Sequence, residues 1–165
     1  MKNKKIVIIL VLFAYILTAC AAQEEPVKGS LAPNFEAQTL HGEEVSLEAL
    51  QGKPIMLNFW ATWCAPCRLE MPAIQGKYDL YSGELEILAI NFDEPKEIVE
   101  AFEIELELSF DIVMDPAAKI QNLYQVRGYP TSIFIDSKGI IQNIHIGILT
   151  EPQLDQYLSV IGIGN

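Results

Sequence analysis

The chain has 165 residues, with 22 acidic against 11 basic side chains and a formal net charge of −11. So acidic a surface repels phosphate backbones, which excludes nucleic acid as a ligand. It also repels anionic lipid, so charge alone would not hold the chain to a membrane. The length suits one domain with a sizeable core.

Lys2, Lys4 and Lys5 form a basic head, and Ile6 to Leu17 is an unbroken apolar run of twelve residues. A bilayer span needs about 20, so the run has the length of a signal-peptide core and not of an uncleaved anchor. It ends in Leu17-Thr18-Ala19-Cys20, which resembles the lipobox of bacterial lipoproteins. The resemblance implies cleavage after Ala19, lipidation of Cys20, and a domain held outside the cytoplasm on a bacterial membrane. Residues 1–19 are then the signal peptide, 20–30 a polar tether and 31–165 the folded domain. Loss of the three leader lysines leaves eight basic residues against 22 acidic, a formal charge of −14.

Leu31-Ala32-Pro33-Asn34-Phe35 opens the folded part. Thr39 to Glu44 reads as a turn between two short strands, with Val45 and Leu47 pointing inward. Ser46 is placed to cap a brief helix over 47–50. Gly52-Lys53-Pro54 then turns into Ile55-Met56-Leu57-Asn58-Phe59, an apolar run that reads as a buried strand. The helix after Cys64 contains Pro72, which should kink it. Residues 85–91 read as a second buried strand. Residues 95–106 read as a helix, with Ile98, Val99, Phe102 and Leu106 at helical spacing. A short strand over 110–113 and a helix over 116–124 follow. Residues 131–135 and 140–146 read as paired strands turning at Ser137-Lys138-Gly139, and 151–161 as a closing helix. Alternating elements predict a layered α/β fold with a mixed sheet. Beyond helix packing and fraying, the aliphatic end Val160-Ile161-Gly162-Ile163 has no evident purpose.

The run Trp60-Ala61-Thr62-Trp63-Cys64-Ala65-Pro66-Cys67-Arg68 places a C-x-x-C at a strand-to-helix junction. Unpaired N–H groups and the helix dipole favour negative charge there. Cys64 is therefore favoured as the thiolate, the form that attacks disulfides, and Cys67 lies one turn on and can close the ring. With Cys20 assigned to lipid, these two are the remaining pair. Two intervening residues make a short loop that constrains little unfolded-chain entropy, so a catalytic disulfide explains the pair better than a structural one. Ala65 and Pro66, inside the motif, affect thiolate stability and hence redox potential. Trp60 is expected to pack, and Trp63 to form part of a flat apolar docking surface. Arg68 reads as a solvated charge, or else as support for the thiolate. Neither His41 nor His145 has a metal-ligand spacing, so no metal is expected.

Phe59-Trp60-Ala61-Thr62-Trp63-Cys64-Ala65-Pro66-Cys67 resembles thioredoxin, with Pro72 at the place of its helix-kinking proline and Tyr129-Pro130-Thr131 similar to its cis-proline loop. The resemblance spans residues 31–161. Within that superfamily the chain looks like the TlpA/ResA group of membrane-tethered, extracytoplasmic thioredoxins of AhpC/TSA type. The features are the N-terminal hairpin, an extra helix–strand unit before the cis-proline loop, and Asn58 where thioredoxin has a buried aspartate.

The resemblance implies a three-layer thioredoxin-like fold and a thiol–disulfide oxidoreductase, more a reductant than an oxidant. Disulfide proteins such as apocytochrome c would be its targets, and a transmembrane thiol donor would supply its electrons. It also implies that Glu94, just after the second buried strand, accepts the proton of Cys67. The alternative for Glu94 is helix capping, the role expected of Asp93. Tyr129 would contact the partner beside a cis Pro130. No cofactor beyond the Cys64–Cys67 disulfide is implied, and a monomer is expected. Two rival activities remain. A peroxidase of the peroxiredoxin type is recommended by Ala32-Pro33-Asn34-Phe35, but Thr62 stands one residue too close to Cys64 and residue 58 is Asn where that pattern has Pro. A copper-delivery carrier needs C-x-x-x-C and a distant histidine.

Overall fold

The computed structural model describes residues 25–164, so the leader and the first five residues of the expected tether, Cys20 among them, lie outside the described residues. Seven strands form one mixed sheet: β1 (Glu36–Thr39), β2 (Glu44–Ser46), β3 (Ile55–Trp60), β4 (Glu86–Phe92), β5 (Asp111–Asp115), β6 (Thr131–Ile135) and β7 (Ile141–Ile146), in the order β2-β1-β5-β4-β3-β6-β7. Among the described residues four α-helices accompany them: α1 (Ala65–Leu80), α2 (Lys96–Glu105), α3 (Lys119–Leu123) and, after the last strand, α4 (Glu151–Val160). β3 runs parallel to β4 and β4 to β5, while β6 is antiparallel to β3 and β7 to β6. The hairpin β1–β2 docks antiparallel on β5, so the extra α2–β5 unit links the hairpin to the central strands.

All six residues of β3 are buried, because both faces of the sheet are covered. Met56 and Trp60 face a core shared with α1, α2 and α4, including Met71, Ile74, Val99, Phe102, Leu154 and Leu158. Ile55, Leu57 and Phe59 face the opposite core, with Ile120 of α3 and Phe35 and Leu47 of the N-terminal segment. This is the expected three-layer arrangement. It leaves Asn58, on the α1 face between Met56 and Trp60, as a polar side chain inside the first core.

Several local expectations are refined. The Ser46 hydroxyl accepts from Ala49 N at 3.2 Å, and the short helix is a 3-10 turn, Glu48–Leu50. α1 continues unbroken across Pro72. Ile98 is exposed, since the stripe that packs is Val99, Phe102 and Leu106. The helix expected over 116–124 divides into a 3-10 turn, Pro116–Ala118, and α3, because Ala117 and Ala118 take positive φ of 61° and 54°. The Asp115 carboxylate then receives Ile120 N and Gln121 N, each at 2.9 Å, at the start of α3.

The stretch expected as tether is partly folded. Gly29 N donates to Ile141 O and Ala32 N to Gly139 O, covering the start of the β7 edge. At the other end the aliphatic tail has a clear purpose. Ile163 N returns to Leu158 O and Gly162 N to Ser159 O, a glycine-ended helix stop with Gly162 at φ 99°, which buries Ile161 and Ile163.

Candidate active site

β3 ends at Trp60, and four residues later α1 begins. Cys64 is the N-cap residue of α1, extended at φ −82° and ψ 99°, and its Sγ accepts from Cys67 N at 3.2 Å. Pro66, in the first turn, has no N–H to leave unpaired there. The two sulfurs are joined as a disulfide. Their surroundings differ. Cys64 is 5% exposed and borders a surface groove, while Cys67 is fully buried under the helix. Once the pair is reduced, an incoming disulfide meets Cys64 first, a sulfur that faces a backbone donor and the positive helix end and is thereby favoured as the attacking thiolate.

The groove has a volume of about 480 Å³ and is lined by Trp63, Cys64, Ala65, Pro66, Arg127, Gly128 and Tyr129. Trp63 is 64% exposed and stands edge-on to Tyr129 at 5.7 Å between centroids. Tyr129 also packs on Phe92 at 5.6 Å, and its hydroxyl donates to Gln121 Oε1. Burial, with Asp115 and Glu94 nearby, raises the phenol to about 12, so it stays protonated. The Tyr129–Pro130 bond is cis. The Tyr129 backbone N–H and C=O have no partner among the described residues, whereas Pro130 O already receives Gly147 N.

Glu94 is not a helix cap: α2 starts at Pro95 without any side-chain cap. Its Oε2 accepts from Thr62 N at 2.7 Å and from Asn91 Nδ2 at 2.8 Å, and its Oε1 accepts from Thr62 Oγ1 at 2.6 Å. The carboxylate thus ties the loop before Cys64 to the end of β4. Asp93 does not cap α2 either. It takes φ 43° and its Oδ1 accepts from Ala117 N at 3.0 Å. Trp60 packs as expected, 4.6 Å from Phe102. Arg68 has other partners. It pairs with Glu105 at 2.6 Å and lies over the Phe102 ring at 4.6 Å. His41 contacts Glu103, and His145 contacts Ile148 O and Tyr157.

A further acid, outside any motif of the sequence, lies beside the pair in the fold of the helix. Glu70 is 2% exposed and lies one turn beyond Cys67 on the same buried face as Met71 and Ile74. Its Oε1 accepts from Asn58 Nδ2 at 2.8 Å and its Oε2 from Leu149 N at 2.9 Å. Asn58 Nδ2 also reaches Ser132 Oγ at 3.0 Å. Burial raises the Glu70 carboxyl above its ordinary range, and the two donors only partly offset that. A usable signal was present in the spacing: Cys67, Glu70, Met71 and Ile74 fall at i, i+3, i+4 and i+7, which puts an acid on the apolar stripe.

A redox disulfide at a helix N-terminus, on the central strand of a thioredoxin-like sheet and facing a cis-proline loop, defines a thiol–disulfide oxidoreductase. The chain matches the AhpC/TSA family over residues 29–144, and it belongs to that family. It is similar to the thioredoxin-like protein YneN of Bacillus subtilis, 41% identical over 136 residues, 81% of this chain and 79% of that one. It is also similar to the thiol-disulfide oxidoreductase ResA of Geobacillus kaustophilus, 40% identical over 134 residues, 81% of this chain and 77% of that one. Among solved structures, StoA from Bacillus subtilis superposes with a TM-score of 0.67 at 31% identity, covering 76% of this chain and 96% of that one.

Proposed function

We propose that the protein is a membrane-tethered, extracytoplasmic reductant of disulfides in partner proteins. The observation that carries this reading is the asymmetry of the pair: Cys64 Sγ takes a backbone N–H at the groove, and Cys67 is sealed behind it. In the reduced protein the Cys64 thiolate attacks one sulfur of a partner disulfide. That S–S bond breaks, a mixed disulfide forms, and the leaving thiolate takes a proton from solvent. Cys67 then loses its proton and attacks Cys64 Sγ, re-forming the internal disulfide and releasing the second partner thiol. Two electrons pass from the dithiol to the partner.

Glu70 is the group we assign to the Cys67 proton, since it is a buried acid with raised proton affinity on the same helix face. Glu94, with three donors on its carboxylate, positions Thr62 and the loop before Cys64. The free Tyr129 backbone suits an extended partner segment laid beside Cys64. The lipobox-like segment ending in Cys20 supports a lipid anchor and a place outside the cytoplasm. The likeness to ResA, named for thiol–disulfide chemistry, supports the activity. A haem-attachment thiol pair, as in apocytochrome c, is the proposed target type, a transmembrane thiol donor the proposed electron source, and a monomer the proposed form.

Thiol labelling in intact cells tests direction and place together. A membrane-impermeant maleimide is expected to reach Cys64 without lysis, and Cys20→Ala is expected to move the protein out of the membrane fraction. Labelling only after lysis would overturn the placement. A pair found wholly as disulfide in growing cells would overturn the reducing direction.

A further inference from the structure

We infer that Arg127 selects substrates by charge, receiving a carboxylate that lies beside the disulfide cysteine of the incoming segment. This rests on the reading of the groove as the disulfide-reducing site. The chain has two arginines, Arg68 and Arg127. Arg68 adjoins Cys67 in sequence but is committed to Glu105 and to the Phe102 ring. Arg127 lines the groove, is exposed, and has no carboxylate partner among the described residues. In a chain with twice as many acids as bases, a guanidinium left unpaired at the reaction groove is a planar, two-pronged donor awaiting an acceptor.

The neighbouring groups cannot serve in its place. Tyr129 is held by Trp63, Phe92 and Gln121 and forms a fixed wall. The nearby carboxylates are already used: Glu94 holds Thr62 and Asn91, and Asp115 holds the first amides of α3. That leaves Arg127 as the adaptable charge of the groove. It stands two residues before Tyr129, whose backbone is open to an extended segment. An extended chain advances about 3.3 Å per residue. An Asp or Glu within about two residues of the attacked cysteine therefore comes into reach of the guanidinium. The occupant is thus an extended peptide with an acidic residue next to its disulfide cysteine.

The test uses the full chain in neutral detergent, pre-reduced and mixed in single turnover with two synthetic disulfide peptides. The peptides differ only in carrying Glu or Lys beside the cysteine. Hydroxyethyl disulfide, small and uncharged, is the third substrate. The unmodified protein is expected to reduce the Glu peptide about tenfold faster than the Lys peptide, the scale of one charge-assisted contact, and less so as salt rises. Arg127→Gln is expected to abolish the preference and Arg127→Glu to reverse it, each peptide rate being taken as a ratio to the same protein's hydroxyethyl disulfide rate so that any change in the Cys64 thiolate cancels. An unchanged preference in Arg127→Glu would overturn the inference and leave the reductase reading standing. Failure of the unmodified protein on all three substrates would overturn both.

Discussion

A pre-reduced Cys67→Ser protein mixed with a disulfide-bonded substrate is expected to stay covalently joined to it through Cys64. Cys64→Ser is expected to lose reductase activity by at least about a thousandfold, as befits removal of a nucleophile. The difference follows from burial. Cys64 borders the groove and is the sulfur a partner can reach, while the buried Cys67 can reach only Cys64. Without Cys67 the first exchange proceeds and the second does not. Non-reducing electrophoresis and mass spectrometry of the adduct would place the bond. A Cys64→Ser protein with unimpaired activity, or an adduct on another residue, would contradict the assigned roles.

Glu70→Gln is expected to slow release of the second substrate thiol by about a hundredfold at neutral pH, the lower end of what a general base supplies. The first exchange should be unaffected, so mixed disulfide accumulates. In the unmodified protein this step speeds up as pH rises through the raised Glu70 range. In Glu70→Gln the rate should follow thiol ionisation alone.

The same carboxyl has a stability signature. The folded protein binds its proton more tightly than the unfolded chain does, because burial raises its proton affinity. Its contribution to stability is therefore fully present below the ordinary Glu range, near about pH 4.3, and is lost as pH rises through the raised folded value. Urea unfolding across that window should show this fall in the unmodified protein and not in Glu70→Gln. Glu70→Gln keeps the side chain's shape and one carbonyl oxygen that can still accept from Leu149 N. Glu70→Leu strips Leu149 N of its acceptor and leaves Asn58 Nδ2 only Ser132 Oγ, and the orphaned buried amide costs about 1–3 kcal/mol. A Glu70→Gln protein with unaltered release kinetics would remove Glu70 from the proton path.

The redox pair and its setting were legible in the sequence because the relevant signals are local. An apolar run, two cysteines at fixed spacing and an amphipathic continuation specify strand, cap and helix without knowledge of anything distant. The order of elements, the N-terminal hairpin and the Tyr129–Pro130 loop were legible for the same reason or through resemblance. What escaped depends on contacts between segments far apart in the chain. Glu94 reads by resemblance as the proton acceptor, with helix capping as the alternative, and neither reading contains its tie to Thr62, 32 residues earlier. Glu70 looked like one more acid on an acidic chain, and its partner Leu149 N lies 79 residues away. The split of the helix over 116–124 came from positive φ at two alanines, residues whose own preference gives no warning of it. The tail Ile161–Ile163 appeared to fray because its glycine-ended stop was not recognised.

The equilibrium reduction potential of the Cys64–Cys67 couple, titrated against glutathione or dithiothreitol, is the most direct measurement. A reversible two-electron couple at about −250 mV or below, in the thioredoxin region, is the expected result for a reductant. A couple at about −120 mV, in the region of a strong disulfide donor, would contradict the reducing direction, and no reversible couple at all would contradict the oxidoreductase itself.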